Sequence, residues 1–187
     1  FAITEDRDGF LWIGVSGNAI AKYNPKNESC KKYPIETGSV NITSVFWTAL
    51  TDLKGNLWFG SSNHGIQKFN RSGNRFEQVH LDSTNNSTQW GEIYGLTQLK
   101  NGTIIAADYG NGIKIYNEKL NLFQPYYLKA NYSPLSVISI YEDLSGNVWF
   151  GGKSKLEKYS PSYYILEDYD VASLFKTPTT YDNTLGL

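Results

Sequence analysis

The sequence lacks methionine altogether and contains only one cysteine and two histidines among its 187 residues. The single cysteine, Cys30, excludes an internal disulfide bond. No apolar run approaches the eighteen or so residues that a membrane-spanning helix needs. Because the chain begins with Phe and has no Met, we expect it to be a piece of a longer protein, so a missing targeting signal carries little weight.

An excess of charge of one sign is also missing. The chain has 17 basic and 18 acidic residues, with a net charge of −1. No basic face is visible, so nucleic acid is not an expected partner. What the sequence does contain is 40% hydrophobic and 15% aromatic residues. This composition excludes intrinsic disorder, and the length is sufficient for a domain with a sizeable core.

A seven-residue pattern that begins with Asp and ends with Trp recurs along the chain. It occupies residues 6–12, 52–58 and 143–149, and a weaker copy at 99–105 has Leu and Ile at the two ends. Its glycines lie 46, 47 and 44 residues apart, a period typical of repeat architectures. Each copy separates two β-prone runs, so we expect a hairpin turn with a left-handed Gly and an Asp that accepts hydrogen bonds from turn amides. We predict structural turn or core roles for Asp6, Gly9, Trp12, Asp52, Gly55, Trp58, Gly102, Asp143, Gly146 and Trp149.

The repeats predict four-stranded antiparallel meanders with almost no helix. They cover approximately residues 1–36, 37–83, 84–129 and 130–170, and residues 171–187 resemble the start of a further unit. The second strand of each clear repeat is apolar at consecutive positions, which requires burial on both faces. The first strand carries small residues where strands would crowd around an axis: Ala2, Thr48, Gly95 and Ser139. We therefore predict an all-β fold of β-propeller blades, forming an arc of a larger propeller.

The repeat resembles a known family. The pattern Asp-x-x-Gly-x-Leu-Trp-Ile/Phe-Gly, followed by a short hairpin, an Ile and an aromatic–Asn pair, is similar to the two-component regulator propeller repeat over roughly residues 1–170. The resemblance implies the extracytoplasmic or periplasmic part of a membrane-anchored bacterial sensor, many of which respond to glycan fragments. It also implies partners: further propeller blades, a signalling output domain and a small-molecule or glycan ligand.

The ligand would bind where the links between units and the second-to-third-strand hairpins emerge, because aromatic faces beside amides suit sugars. For Trp90 a role as a loop anchor is equally compatible with the sequence. For Trp47, which shares an apolar column with Phe1, Tyr94 and Ile138, packing between units is the stronger alternative. The candidate ligand-binding residues are Trp90, Tyr94, Trp47, Asn63, His64, Tyr109 and Asn111.

Catalytic chemistry is not indicated. Neither histidine has partners at metal-ligand spacing, and no nucleophile triad, phosphate loop or cofactor fingerprint occurs. We expect no catalytic residue, no metal and no cofactor in this segment, whereas a histidine kinase domain would belong to the full-length protein. Cys30 shares a column with Phe76 and Phe123, so we expect a buried small hydrophobe.

Two alternatives to a sensor stay open. One is an enzyme like the antibiotic-inactivating propeller lyases, for which His64 is the one histidine expected on the loop face. The other is a protein-interaction scaffold. An arc of blades would also leave apolar sheet faces uncovered, through which the chain could self-associate.

Overall fold

The computed structural model describes residues 2–35, 43–82, 91–128, 132–134, 136–162 and 165–171. These residues form sixteen β-strands, and the all-β class is confirmed. Within the described ranges, no helix is long and apolar enough to cross a membrane. The strands are β1 Ile3–Glu5, β2 Leu11–Val15, β3 Ala19–Tyr23, β4 Cys30–Pro34, β5 Phe46–Thr51, β6 Leu57–Ser61, β7 Ile66–Asn70, β8 Arg75–Leu81, β9 Ile93–Gln98, β10 Ile104–Asp108, β11 Gly112–Asn117, β12 Leu122–Tyr126, β13 Val137–Glu142, β14 Val148–Gly152, β15 Lys155–Ser160 and β16 Ile165–Asp170.

Consecutive strands pair antiparallel in four meanders, which we call unit 1 (β1–β4), unit 2 (β5–β8), unit 3 (β9–β12) and unit 4 (β13–β16). In each unit the first-to-second-strand turn, which contains the repeat glycine, and the third-to-fourth-strand turn lie at one end of the strands, the Asp-turn end. The second-to-third-strand hairpin lies at the other end, together with the start of the first strand and the finish of the fourth, and we call this the link end. Any two residues at these opposite ends are therefore separated by the length of a strand.

The turn motif forms a closed hydrogen-bond network. In unit 2, Oδ1 of Asp52 accepts the amide protons of Lys54 and Asn56 at 3.0 and 2.7 Å. Its Oδ2 accepts the indole N–H of Trp58 at 2.9 Å. Gly55 has a φ of 82°, the left-handed conformation that such a turn requires. The carboxylate therefore ties the turn to the core tryptophan six residues later.

The same network recurs in two other units. Asp6 accepts the indole N–H of Trp12 at 2.7 Å, and Asp143 accepts that of Trp149 at 2.9 Å. In unit 3, where Leu99 replaces the Asp, the turn is closed by backbone bonds and by Asn101, which accepts the amide of Thr103 at 2.9 Å. That turn consequently has no side-chain link to the core.

The hydrophobic core lies between units rather than inside any one of them. Three clusters join unit 1 to unit 2, unit 2 to unit 3, and unit 3 to unit 4. In the first, the ring of Trp12 lies 4.8 Å from Phe69 and 5.8 Å from Phe76 of the next unit. Trp58 repeats this packing against Tyr116 and Phe123.

This packing explains the burial of the second strands. All five residues of β6 are buried, as its continuous apolar sequence predicts, and all five of β10, in the weaker repeat, are buried as well. In β2 and β14 burial is incomplete, because units 1 and 4 each have a neighbour on one face only among the described residues. Trp149 is accordingly half-buried, whereas its counterpart Trp58 is completely buried.

Two features differ from the sequence-based expectations. Cys30 is exposed rather than buried, because its column faces the preceding unit and none precedes unit 1 in the described chain. In addition, β8 pairs with β12 in parallel at His80–Leu122 and Leu81–Phe123, which joins units 2 and 3 into one eight-stranded sheet. Outer strands far apart in sequence give no local signal for such pairing.

Candidate functional site

Three aromatic side chains form a continuous row at the link end of units 2 and 3, which we call the aromatic row: Trp47, Tyr94 and Tyr109. Trp47 and Tyr94 are stacked, with ring centroids 5.3 Å apart and planes inclined by 17°. Tyr94 and Tyr109 follow at 5.3 Å with an inclination of 59°. Trp47 is 41% exposed. The row therefore presents aromatic surface to solvent rather than only filling the contact between units.

β-bulges set the direction of two of these side chains. In the pairing of β5 with β6, Phe46 and Thr48 have partners while Trp47 is skipped. In the pairing of β9 with β10, Tyr94 is skipped in the same way. A bulge leaves one residue unpaired and redirects its side chain. The preceding residues, Phe46 and Ile93, point into the core instead, at 1% and 0% exposure.

Close packing beneath the row keeps the bulges in place. A Cβ atom added to Gly60 would lie 2.5 Å from Cγ2 of Ile93 and 2.6 Å from Cγ2 of Thr48. Gly14 makes the equivalent approach to Phe46, at 2.4 Å from its Cβ. The glycines that end the repeat motifs of units 1 and 2 thus accommodate the buried residues before the two bulges, Phe46 and Ile93, and so help to position Trp47 and Tyr94.

A cation lies at the unit 4 end of the row. Nζ of Lys153 is 5.5 Å from the ring centroid of Tyr109, within the range of a cation–π contact. Lys153 is exposed. It was not among the sequence-based candidates, although it occupies the same hairpin position in unit 4 as Tyr109 in unit 3. Aligning the hairpins of units 3 and 4 would have identified it.

The hairpin candidates occupy less accessible positions. His64 is only 6% exposed, and its Nε2 atom is buried without a hydrogen-bond partner among the described residues. Its amide is bound by the hydroxyl of Ser61 at 3.0 Å. Asn63 donates to the carbonyl of Thr43 at 3.1 Å. These contacts stabilise the hairpin of unit 2 and leave little of His64 for a ligand to reach.

In unit 3 the corresponding hairpin contains a buried ion pair. Asp108 and Lys114 are each 4% exposed, and their charged atoms lie 4.0 Å apart. Asn111 donates to Oδ1 of Asp108 at 3.1 Å. Burial raises the pKa of Asp108, against the opposing effects of Asn111 and Lys114. The ion pair and the bond from Asn111 stabilise the hairpin that carries Tyr109. Asn111 is partly exposed and already bonded to Asp108.

The structure thus brings Trp47, Tyr94 and Tyr109 together, places Asn111 in the hairpin that carries Tyr109, and buries His64 in the hairpin of unit 2. Trp90 lies outside the described residues, and its assignment stays a prediction. Among the residues that the structure describes, no group of three or more His, Cys, Asp or Glu could hold a metal ion.

Comparison with known proteins identifies no matching family model and no matching curated protein. Solved structures do match. The extracellular domain of BT4673 from B. thetaiotaomicron, described as a candidate one-component or hybrid two-component system, superposes with a TM-score of 0.72 at 18% identity over 93% of this chain. The chain spans only 25% of that protein's length.

Two other matches have different activities. A catalytically inactive virginiamycin B lyase from Staphylococcus aureus, solved with quinupristin, matches with a TM-score of 0.66 at 17% identity, covering 95% of this chain and 56% of the lyase. PorZ, a surface component of the type-IX secretion system of Porphyromonas gingivalis, matches with a TM-score of 0.65 at 17% identity over 89% of this chain and 26% of its own. At such identities the likeness shows a shared fold, and at that level the resemblance found from the repeats is confirmed.

Proposed function

We propose that this chain is part of the extracytoplasmic ligand-sensing propeller of a bacterial two-component sensor, and that it binds a glycan or another small ring-containing molecule on the aromatic row. The observation that carries the proposal is the row itself, in which exposed Trp47 stacks on part-buried Tyr94 and Tyr94 contacts part-buried Tyr109. The likeness to the extracellular domain of BT4673 supports the sensor role.

The chemistry of the row suits such a ligand. Aromatic faces bury the flat apolar faces of a ring, while nearby polar groups bind its hydroxyls and set its orientation. Two successive steps of 5.3 Å between ring centroids offer a surface for more than one ring of a ligand. Lys153 at one end supplies a hydrogen-bond donor and a positive charge.

We further propose that the four units are consecutive blades of a larger ring. Each described interface places the second-strand residue of one unit against the third- and fourth-strand residues of the next. Trp149, which occupies that second-strand position in unit 4, is only half-buried and stacks on Tyr169 of its own unit at 5.8 Å. A further blade with an aromatic residue in the same column would complete its burial.

In the proposed mechanism the ligand bridges two neighbouring units. Trp47 belongs to unit 2 and Tyr94 and Tyr109 to unit 3, so binding would favour one relative placement of these units. A ligand shifts a signalling equilibrium only through different affinities for the two states. The consequence would be transmitted through the rest of the ring to an output domain of the sensor.

Substitution of the row tests the proposal. A glycan panel is screened first, and a binding oligosaccharide is then titrated by calorimetry. Trp47→Ala is expected to weaken binding about 5- to 100-fold, as for loss of an aromatic anchor of about 1–3 kcal/mol. Its thermal stability should change little, because the side chain is 41% exposed. Tyr109→Ala should weaken binding in the same range.

The matched control is Tyr141→Ala, because Tyr141 is 64% exposed and lies outside the row. It is expected to leave binding unchanged. A panel without any binding oligosaccharide would contradict the glycan assignment and favour a scaffold role. Equal losses in Tyr141→Ala and Trp47→Ala would contradict the placement of the site.

A further inference from the structure

A second candidate site lies at the Asp-turn end, between units 2 and 3. There a partly open cavity of about 460 Å³ is enclosed by the β7–β8 hairpin and the β11–β12 turn. Its volume falls within the range of about 300–1,000 Å³ that is typical of small-molecule pockets. It lies at the opposite end of the strands from the aromatic row, so the two surfaces are separate.

The cavity exists because β8 and β12 diverge. These outer strands pair only at His80–Leu122 and Leu81–Phe123. From Arg75 to Val79 the edge of β8 has no such partner, and the space that opens beside it is lined by side chains of unit 2 on one wall and by Asn121 of unit 3 on the other. The cavity is thus a product of the sheet topology rather than a gap in loop packing.

Two cations line this cavity without a carboxylate partner in the described chain. Nζ of Lys68 lies 4.5 and 5.3 Å from the ring centroids of Trp58 and Tyr116, and donates to the Tyr116 hydroxyl at 3.3 Å. A guanidinium nitrogen of Arg71 donates to the carbonyl of Gly55 at 2.7 Å. Neither side chain belongs to any of the ion pairs formed by the described residues. Both side chains retain N–H groups that could donate hydrogen bonds to an anion.

The nearby acids are already engaged. Glu77, which also lines the cavity, accepts hydrogen bonds from Asn70 at 2.9 Å and from Arg75 at 3.0 Å. These bonds lower its pKa, so Glu77 is ionised, and its negative charge is paired with the guanidinium of Arg75. Glu118 binds the ammonium of Lys54 at 2.6 Å. The positive charges of Lys68 and Arg71 therefore dominate the cavity.

Carboxamide groups supply the remaining polar surface. Oδ1 of Asn121 accepts the Tyr116 hydroxyl at 2.8 Å, which directs its NH₂ group to other acceptors. Asn56 donates from its Nδ2 to Asp52 at 2.8 Å, which leaves its side-chain carbonyl oxygen to accept a hydrogen bond. Paired donors and acceptors of this kind recognise hydroxyl groups, whereas the two cations recognise a carboxylate.

We propose that this cavity binds a small hydroxylated carboxylate of monosaccharide size, such as a uronic acid. Its carboxylate lies between Lys68 and Arg71, and its hydroxyls contact the carboxamides of Asn56 and Asn121. Such a site recognises both the negative charge and the hydroxyl groups of a sugar acid. It is independent of the aromatic row, because no residue is shared between them.

Calorimetric or ligand-observed NMR titration of the whole chain tests this inference with four probes: D-glucuronate, D-glucose, acetate and inorganic phosphate. D-glucuronate is expected to bind most tightly, with D-glucose and acetate each weaker by about tenfold or more, since each lacks one half of the recognised chemistry. Equal binding of glucose and glucuronate would overturn the role of the cations. Acetate or phosphate binding as tightly as glucuronate would overturn the hydroxyl contacts.

Variants locate the site. Arg71→Gln is expected to weaken glucuronate binding about 10- to 100-fold, as for a lost hydrogen bond to a charged group, while Lys119→Gln, an exposed charge on the adjacent turn, should have little effect. Because Arg71 is exposed on a turn, the variant should fold, which a thermal melt verifies. Lys68→Met is a second variant, and its glucuronate affinity is compared with the wild type only if the two melting temperatures agree. Equal effects of Arg71→Gln and Lys119→Gln would show diffuse electrostatic attraction and overturn the site, and Trp47→Ala should leave glucuronate binding at the cavity intact.

Discussion

Replacing Asp52 with alanine should destabilise this protein more than the loss of a surface turn cap. The Asp52 side chain is buried, with the residue 4% exposed, and accepts hydrogen bonds from Lys54, Asn56 and Trp58. The critical one comes from the indole N–H of Trp58, because Trp58 is 0% exposed and water cannot reach it. The variant would leave that donor buried without an acceptor.

The magnitude follows from two contributions. Loss of a local side-chain cap costs about 1 kcal/mol, and leaving a buried donor unsatisfied costs about 1–3 kcal/mol. We therefore expect Asp52→Ala to lower the free energy of unfolding by about 2–4 kcal/mol. Urea denaturation followed by tryptophan fluorescence and circular dichroism measures this difference.

Asp143→Ala is the matched control, because Asp143 forms the same turn and accepts the indole N–H of Trp149 at 2.9 Å. Trp149 is only half-buried, so water can replace the lost acceptor. The loss in Asp143→Ala should therefore be clearly smaller than in Asp52→Ala. Equal losses in the two variants would refute the reasoning that burial of the indole N–H determines the cost.

Two other predictions concern packing and pH. Gly60→Ala should lower the free energy of unfolding by about 1–3 kcal/mol, because the added Cβ would meet Ile93 and Thr48 in a filled core. A melting temperature equal to that of the wild type would contradict this. In the part of the chain that the structure describes, six carboxyl groups, including the three turn aspartates, have a lowered pKa, whereas burial raises the pKa of Asp108 and Glu157. A lowered pKa contributes stability above the unfolded value and loses it on acidification, so the free energy of unfolding should fall as the pH drops below about 4. Urea midpoints that rise between about pH 5 and 3 would contradict this sign.

The repeat turns could be predicted from the sequence because their physics is local. The Asp–Gly turn and the core Trp lie within seven residues, and the hydrogen bonds that join Asp52 to Trp58 stay within that stretch. Burial of β6 on both faces followed equally from its continuous apolar sequence. These features recur at a fixed period, so each copy supports the interpretation of the others.

The remaining features depend on contacts between units. Exposure of Cys30 is decided by whether another unit covers its column, which no local pattern encodes. Pairing of β8 with β12 joins strands separated by a whole unit. The apolar column of Trp47 and Tyr94 indicated packing between units, yet the bulges turn Trp47 outward while its ring still stacks on Tyr94. The sequence therefore predicted that Trp47 and Tyr94 occupy equivalent positions in neighbouring units, but not that the side chain of Trp47 points toward solvent.

The central claim is that ligand binds the aromatic row at the link end, and the indole N–H signals in a ¹H–¹⁵N correlation spectrum test it most directly. On titration with an oligosaccharide from the glycan screen, the indole signal of exposed Trp47 should shift progressively. Those of Trp12 and Trp58, whose N–H groups are bonded to buried aspartates at the opposite end, should stay in place. Shifts of the Trp12 and Trp58 signals with an unmoved Trp47 would contradict the account.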